Sequence, residues 1–116
     1  MGWWIYLNGE GEEALSVDPH FEGGVLALGG MDKAEISVTW NYSEYYFKHI
    51  DEENGIRWLH EKKAKDTIVR LENAITALGT ERSNDYWEST PGNAGHILQV
   101  LANWAHQHPE GEWYVS

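Results

Sequence analysis

A single α+β domain, with a small antiparallel sheet packed against about three helices, is the architecture this sequence implies. Three observations lead there. Short aromatic and β-branched runs bounded by turn residues fill the first forty positions, Ala34 to Trp40 alternating apolar and polar; apolar residues recur at helical spacing through most of the rest; and the two regimes are not interleaved. With 116 residues there is material for one core and too little for two, so 1–116 is read as one domain.

The elements follow in order. Trp3 to Asn8 is aromatic and apolar and stops at Asn8-Gly9, a turn signal. Ala14 to Val17 reads as a short return strand stopped by Asp18-Pro19. Val25 to Leu28 is bracketed by Gly23-Gly24 and Gly29-Gly30. Ala34, Ile36, Val38 and Trp40 alternate with Glu35, Ser37 and Thr39, which predicts a half-buried strand with the first set inward. The link from Gly29 to Lys33 suggests a hairpin, making the N-terminal part a meander. Ser43 is placed to cap a short helix carrying Tyr46, Phe47 and Ile50 and ending near Asn54-Gly55. A second helix is expected from about Ala64 to Leu78, with Ile68, Leu71, Ile75 and Leu78 on one stripe and Gly79 as its stop. In the third, Thr90 caps, Pro91 takes the first position, and Ile97, Leu98, Leu101, Trp104 and Ala105 form the apolar face before Pro109. Glu112 to Val115 is the candidate closing strand.

Composition narrows the function classes. Cysteine is absent, which excludes disulfides, thiolate metal sites and a cysteine nucleophile, and suits a reducing cytoplasm. No apolar run approaches the roughly 18 residues of a membrane span, and Met1 to Tyr6 lacks the basic-then-apolar order of a secretion signal. Eight basic side chains stand against 19 acidic ones, a net charge of -11. Such a surface repels nucleic acid phosphate and favours a basic partner. His106 and His108 diverge by about 200° on a helix, so they do not share a metal; no metal or cofactor is expected. Neither a nucleophile elbow, a P-loop nor a zinc-protease motif is present, and no enzymatic activity is expected, a small hydrolase using Glu, Tyr or His being the third reading. Seven Trp and six Tyr in so short a chain are more than a core of this size requires and suit ligand stacking or an interface.

The candidate binding residues form an anion-directed set. Thr90-Pro91-Gly92-Asn93-Ala94-Gly95 places small residues over the free N–H groups of a helix start, where a phosphate could approach. Tyr86, Trp87 and Asn93 are available to stack on or hydrogen-bond to a base. Arg57, Lys62, Lys63 and Lys65 concentrate positive charge beside Trp58, with Arg57 and Lys62 the candidate phosphate contacts. Asn41, Tyr42, Ser43 and Tyr46, around the strand-to-helix junction, complete the set.

Several segments together carry a resemblance. Gly23-Gly24-Val25-Leu26-Ala27-Leu28-Gly29-Gly30, Val38-Thr39-Trp40-Asn41-Tyr42-Ser43, Gly55-Ile56-Arg57-Trp58-Leu59 and Tyr86-Trp87-Glu88-Ser89-Thr90-Pro91-Gly92-Asn93-Ala94 resemble a group of small bacteriophage and prophage proteins of unassigned function. That pattern has Gly-Lys-Thr-Gly near Glu61-Lys62-Lys63-Ala64; Lys62 matches and both glycines are replaced. The resemblance implies a counter-defence protein in the cytoplasm of an infected bacterium. Its expected partner is a nucleotide second messenger of host immunity, sequestered without turnover in a pocket that a homo-oligomer could complete. The alternative is a host defence protein: an acidic inhibitor covering the nucleic-acid site of a nuclease such as a CRISPR effector. Direct nucleic-acid binding and membrane association are not expected.

Overall fold

Strict alternation builds the central strand. In β1 (Gly2–Asn8), Trp3, Ile5 and Leu7 are buried while Trp4, Tyr6 and Asn8 face the other way, as a period of two requires. The computed structural model describes residues 2–10, 14–17, 21–22, 25–26, 33–85 and 87–116. After β1 come β2 (Phe21–Glu22), β3 (Val25–Leu26), β4 (Glu35–Thr39), α1 (Ser43–His49), α2 (Ile68–Leu78), α3 (Pro91–Gln107) and β5 (Glu112–Val115). The main sheet has the order β4-β1-β5, antiparallel throughout, with Ile5 opposite both Ile36 and Val115.

One face of this sheet packs on the helices. Trp3, Ile5 and Leu7 meet Ile36, Val38, Trp113 and Val115 from the flanking strands and Leu71, Leu98, Leu101 and Trp104 from α2 and α3 in one buried cluster. Trp113 is its polar anchor: the indole N–H donates to Thr67 Oγ1 at 2.9 Å, and that hydroxyl donates to the Ala64 carbonyl at 2.7 Å. Both buried polar groups are therefore paired, which removes a penalty of about 1–3 kcal/mol for each unmet group. Its ring also lies near-parallel to Trp104, 6.5 Å away.

The start of α3 is crossed by the chain that leaves α2. Gly79 ends α2 at φ 78°, a left-handed conformation that glycine adopts without strain. The segment then runs so close to α3 that a Cβ at Gly92 would lie 1.9 Å from the Glu81 carbonyl oxygen, and one at Gly95 1.8 Å from that of Gly79. These glycines permit helix-to-chain contact.

The outer edge of β5 is covered. Glu61 N–H donates to the Trp113 carbonyl at 2.8 Å, Trp113 N–H to the Lys62 carbonyl at 2.9 Å, and Lys63 bridges to Glu112. Holding this register places Glu61 at φ 66°, where a residue with a side chain is strained.

Several expectations are corrected. β4 pairs with β1, and β3 pairs with β2 in a separate two-stranded sheet, so the described strands do not form the meander expected from a β3–β4 hairpin. Ala14 to Val17 supplies two isolated bridges, Asn8 to Ala14 and Ser16 to Lys33, in place of a strand. Trp40 was expected inward but is 45% exposed, because the chain turns into a 3-10 segment, Trp40–Tyr42, capped by the Thr39 hydroxyl. Ser43 is therefore the first residue of α1 and not its cap, and its hydroxyl donates to the Trp40 carbonyl. α1 ends at His49, and 55–59 forms a separate 3-10 turn. The expected helix over 64–78 is divided: Ala64 and Lys65 give their N–H groups to Gly111 and Pro109, which holds Ala64–Asp66 as a 3-10 turn before α2 begins. Leu28, the glycine pairs at 23–24 and 29–30, and the Asp18-Pro19 stop lie outside the described residues.

Candidate functional site

The sheet face turned away from the helices carries an aromatic surface. Trp4 and Tyr6 project from β1; Glu35 and Ser37 stand beside them on β4; Glu112 and Tyr114 stand on β5. Tyr6 is directly opposite both Glu35 and Tyr114, and Asn8 is opposite Glu112. Trp4 and Tyr114 are 49% and 48% exposed. The rings form a continuous run: Trp4 to Tyr6 at 6.4 Å and 21° from parallel, Tyr6 to Tyr114 at 6.1 Å, and Tyr114 to the His60 imidazole at 4.9 Å.

The end of this run is fixed by the covering segment. The Val115 N–H donates to His60 Nδ1 at 3.0 Å. An amide nitrogen only donates here, so Nδ1 is the acceptor and the neutral ring carries its proton on Nε2. That nitrogen faces Glu61 Oε1 at 3.1 Å. The imidazole is thus held against Tyr114 from both ring nitrogens.

Beside the rings lies a hollow of about 610 Å3 lined by Tyr6, Asn8, Gly9, Ala14, Glu35, Glu112 and Tyr114. Among the described residues, neither Glu35 nor Glu112 forms a salt bridge. Glu110, by contrast, accepts from Lys65 at 3.1 Å and from Lys63 at 3.5 Å. The Lys65 hydrogen bond first, then its charge and the Lys63 contact, hold the Glu110 carboxyl below the usual carboxylate range.

The residues singled out from the sequence fall into separate places. Tyr42 and Tyr46 are fully buried, and the Tyr46 hydroxyl donates to the Ala94 carbonyl at 3.0 Å, so both belong to the core. Thr90 caps α3, its hydroxyl accepting the Asn93 N–H at 3.1 Å. Asn93 is 4% exposed and organises the preceding loop. Its Oδ1 accepts the Ser83 N–H, and its Nδ2 reaches Ser83 Oγ and the carbonyls of Asp85 and Glu88, all at 2.9–3.0 Å. Asn41 donates to the Trp87 carbonyl at 2.8 Å, and Trp87 itself is 58% exposed. Asn41, Trp87, Thr90 and Asn93 therefore do gather around the 83–90 loop, with Trp40 nearby in the chain. Ser43 turns its hydroxyl back to the Trp40 carbonyl. Tyr86 lies outside the described residues.

The cationic half of the set is elsewhere. Lys62 donates to the Trp58 carbonyl at 2.6 Å with its Nζ 4.4 Å from the Trp58 ring centre, and the Arg70 guanidinium lies 4.2 Å from the same ring. Lys63 and Lys65 are engaged by Glu110. Arg57 is exposed on the 55–59 turn. A hollow of about 430 Å3 at the α3 start includes Arg82, Thr90 and Gly92, and one of about 410 Å3 includes Trp58 and Arg70; they share no lining residue. Neither is lined by Arg57 or Lys62.

The open sheet face went unnoticed in the sequence, yet its signal was present. Trp4 and Tyr6 alternate with Trp3, Ile5 and Leu7, and Tyr114 with Trp113 and Val115, so one set of rings had to leave the core. Among the described residues no group of three or more His, Asp or Glu side chains is placed to hold a metal ion. No protein-family model, curated protein or solved structure matches this chain.

Proposed function

We propose that this is an acidic binding protein whose open sheet face covers a positively charged surface of another protein. The observation that carries the reading is the ring run Trp4–Tyr6–Tyr114–His60, exposed at Trp4 and Tyr114 and half-buried at Tyr6 and His60, bordered by Glu35 and Glu112. Large rings held by a sheet give contact area with little loss of rotamer freedom. Carboxylates at their edge that form no salt bridge among the described residues select for cationic partners, and a net charge of -11 steers such partners in. The same charge opposes the pairing of two copies through this face. In the setting that the phage resemblance implies, the basic surface is the nucleic-acid groove of a host defence nuclease, which the protein blocks without any turnover.

The test is displacement of fluorescent DNA from purified CRISPR effector nucleases by the protein and by its Trp4→Ala/Tyr114→Ala variant. The expected result is displacement that weakens with salt and falls at least tenfold in the variant. Equal displacement by both proteins refutes the face.

A nucleotide-sequestering role draws on exposed Trp40 and Trp87 beside the 83–90 loop. It ranks second, because Lys62 and Asn93 are engaged within the protein and chain 79–81 crosses the glycines of α3. A rise in melting temperature with any member of a cyclic-nucleotide and ADP-ribose panel reverses that order.

A further inference from the structure

We infer that the 610 Å3 hollow on the open sheet face is a guanidinium site, and that the partner's anchor is an arginine side chain. The inference rests on the sheet-face reading and names what that face recognises first.

The lining sets this hollow apart from the others. The 430 Å3 hollow contains Arg82, the 410 Å3 hollow contains Arg70, and one of about 300 Å3 contains His108 and Glu110, the latter held by two lysines. The sheet-face hollow combines two tyrosines, two glutamates and an asparagine, with no Lys, Arg or His among the described residues that line it. Its volume lies within the about 300–1,000 Å3 usual for small-ligand sites.

The geometry favours a flat, extended cation. Glu35 and Glu112 lie on the strands that flank β1, opposite Tyr6 and Asn8; two strand spacings across and two residues along put them about 12 Å apart at the backbone. Two carboxylates fall short of the roughly six to eight oxygen ligands that a calcium ion takes, and among the described residues no group of three or more metal-ligating side chains is gathered. A guanidinium offers five donors in a planar fork, enough to meet one carboxylate in bidentate fashion and still reach a second acceptor. Its plane stacks on a tyrosine face while its weaker hydration lowers the penalty of leaving water. The aromatic lining is suited to this: Tyr6 continues into Trp4 within 21° of parallel, and Tyr114 is in edge contact with the His60 ring at 4.9 Å. A lysine ammonium gains the charge attraction but neither the fork nor the planar contact.

The experiment uses two labelled peptides of the same length and neutral backbone sequence, one with arginines and one with lysines at the same positions. Affinity is read by fluorescence anisotropy in low salt for the native protein, for Glu35→Gln/Glu112→Gln and for Tyr114→Ala, each checked for an unchanged thermal melt. The arginine peptide is expected to bind at least tenfold more tightly than the lysine peptide. The double glutamine variant, which keeps shape and removes charge, should lose both that preference and at least tenfold of the affinity. Equal binding of the two peptides, lost in both cases in Tyr114→Ala, overturns the arginine anchor and leaves the face standing. Failure of the arginine peptide to bind, or binding untouched by Tyr114→Ala, overturns the face and the anchor together.

Discussion

Replacing Asn93 by alanine separates a scaffold role for this side chain from a ligand-binding one. Its Oδ1 accepts one hydrogen bond, and its two amide hydrogens are shared among three acceptors in Ser83, Asp85 and Glu88. The side chain therefore supplies about three full hydrogen bonds, each contributing about 1 kcal/mol net. Truncation also strands the Ser83 N–H, while the loop carbonyls can turn to water and recover part of the loss. The expected destabilisation is about 2–4 kcal/mol, a fall in Tm of about 8–16 °C for a domain of this size. Asn93→Asp should be at least as damaging, since a carboxylate cannot donate to the Asp85 and Glu88 carbonyls and is repelled by them. Calorimetric melting, with urea titration to confirm an unchanged m-value, measures both. A loss below about 0.5 kcal/mol in Asn93→Ala would show that this network does not hold the loop.

Gly95→Ala puts a Cβ 1.8 Å from a backbone oxygen that no rotamer can clear; urea titration should show a loss of about 3 kcal/mol, the upper end for overpacking, and an unchanged midpoint would contradict the close crossing. Glu61→Gly relieves a left-handed residue at about 1–2 kcal/mol and loses an exposed contact to His60 that contributes about 0–1 kcal/mol, so stability should rise by about 0.5–1 kcal/mol. Burial first, then the Arg82 charge, lowers the His96 pKa below its ordinary 6.5. A depressed histidine favours the fold while neutral, so its contribution is complete above the unfolded value and is lost as pH falls below it. Melts taken from pH 7.5 to 5 should therefore decline, and less steeply in His96→Phe.

The helices and strands were legible wherever one face is strongly apolar. α3 could be read from Thr90, Pro91 and its apolar stripe, and β5 from four residues, because local chemistry alone determines those features. Partner choice was not legible: β4 shows its inward face in its own alternation, but nothing local states that it lies against β1 instead of β3. The candidate site suffered from a related ambiguity. Gly92, Gly95 and Asn93 have the composition of a phosphate cradle, and the same composition serves a close chain crossing and a buried amide hub. Only the position of chain 79–81 distinguishes them. The aromatic face could have been read by asking which tryptophans and tyrosines a period of two drives outward.

β1 is the middle strand of the main sheet, and its second neighbour, β5, comes from the opposite end of the described chain. The contact order is accordingly high for so small a fold, which slows the search for the native topology. During synthesis β1 leaves the ribosome well before β5, so one of its edges stays unsatisfied until Val115 follows. For that interval the nascent chain presents Trp3, Ile5 and Leu7 beside an open backbone edge, a combination prone to pairing with other chains. Folding helpers, or rapid synthesis of the stretch between β1 and β5, should therefore govern how much of this protein reaches its native state.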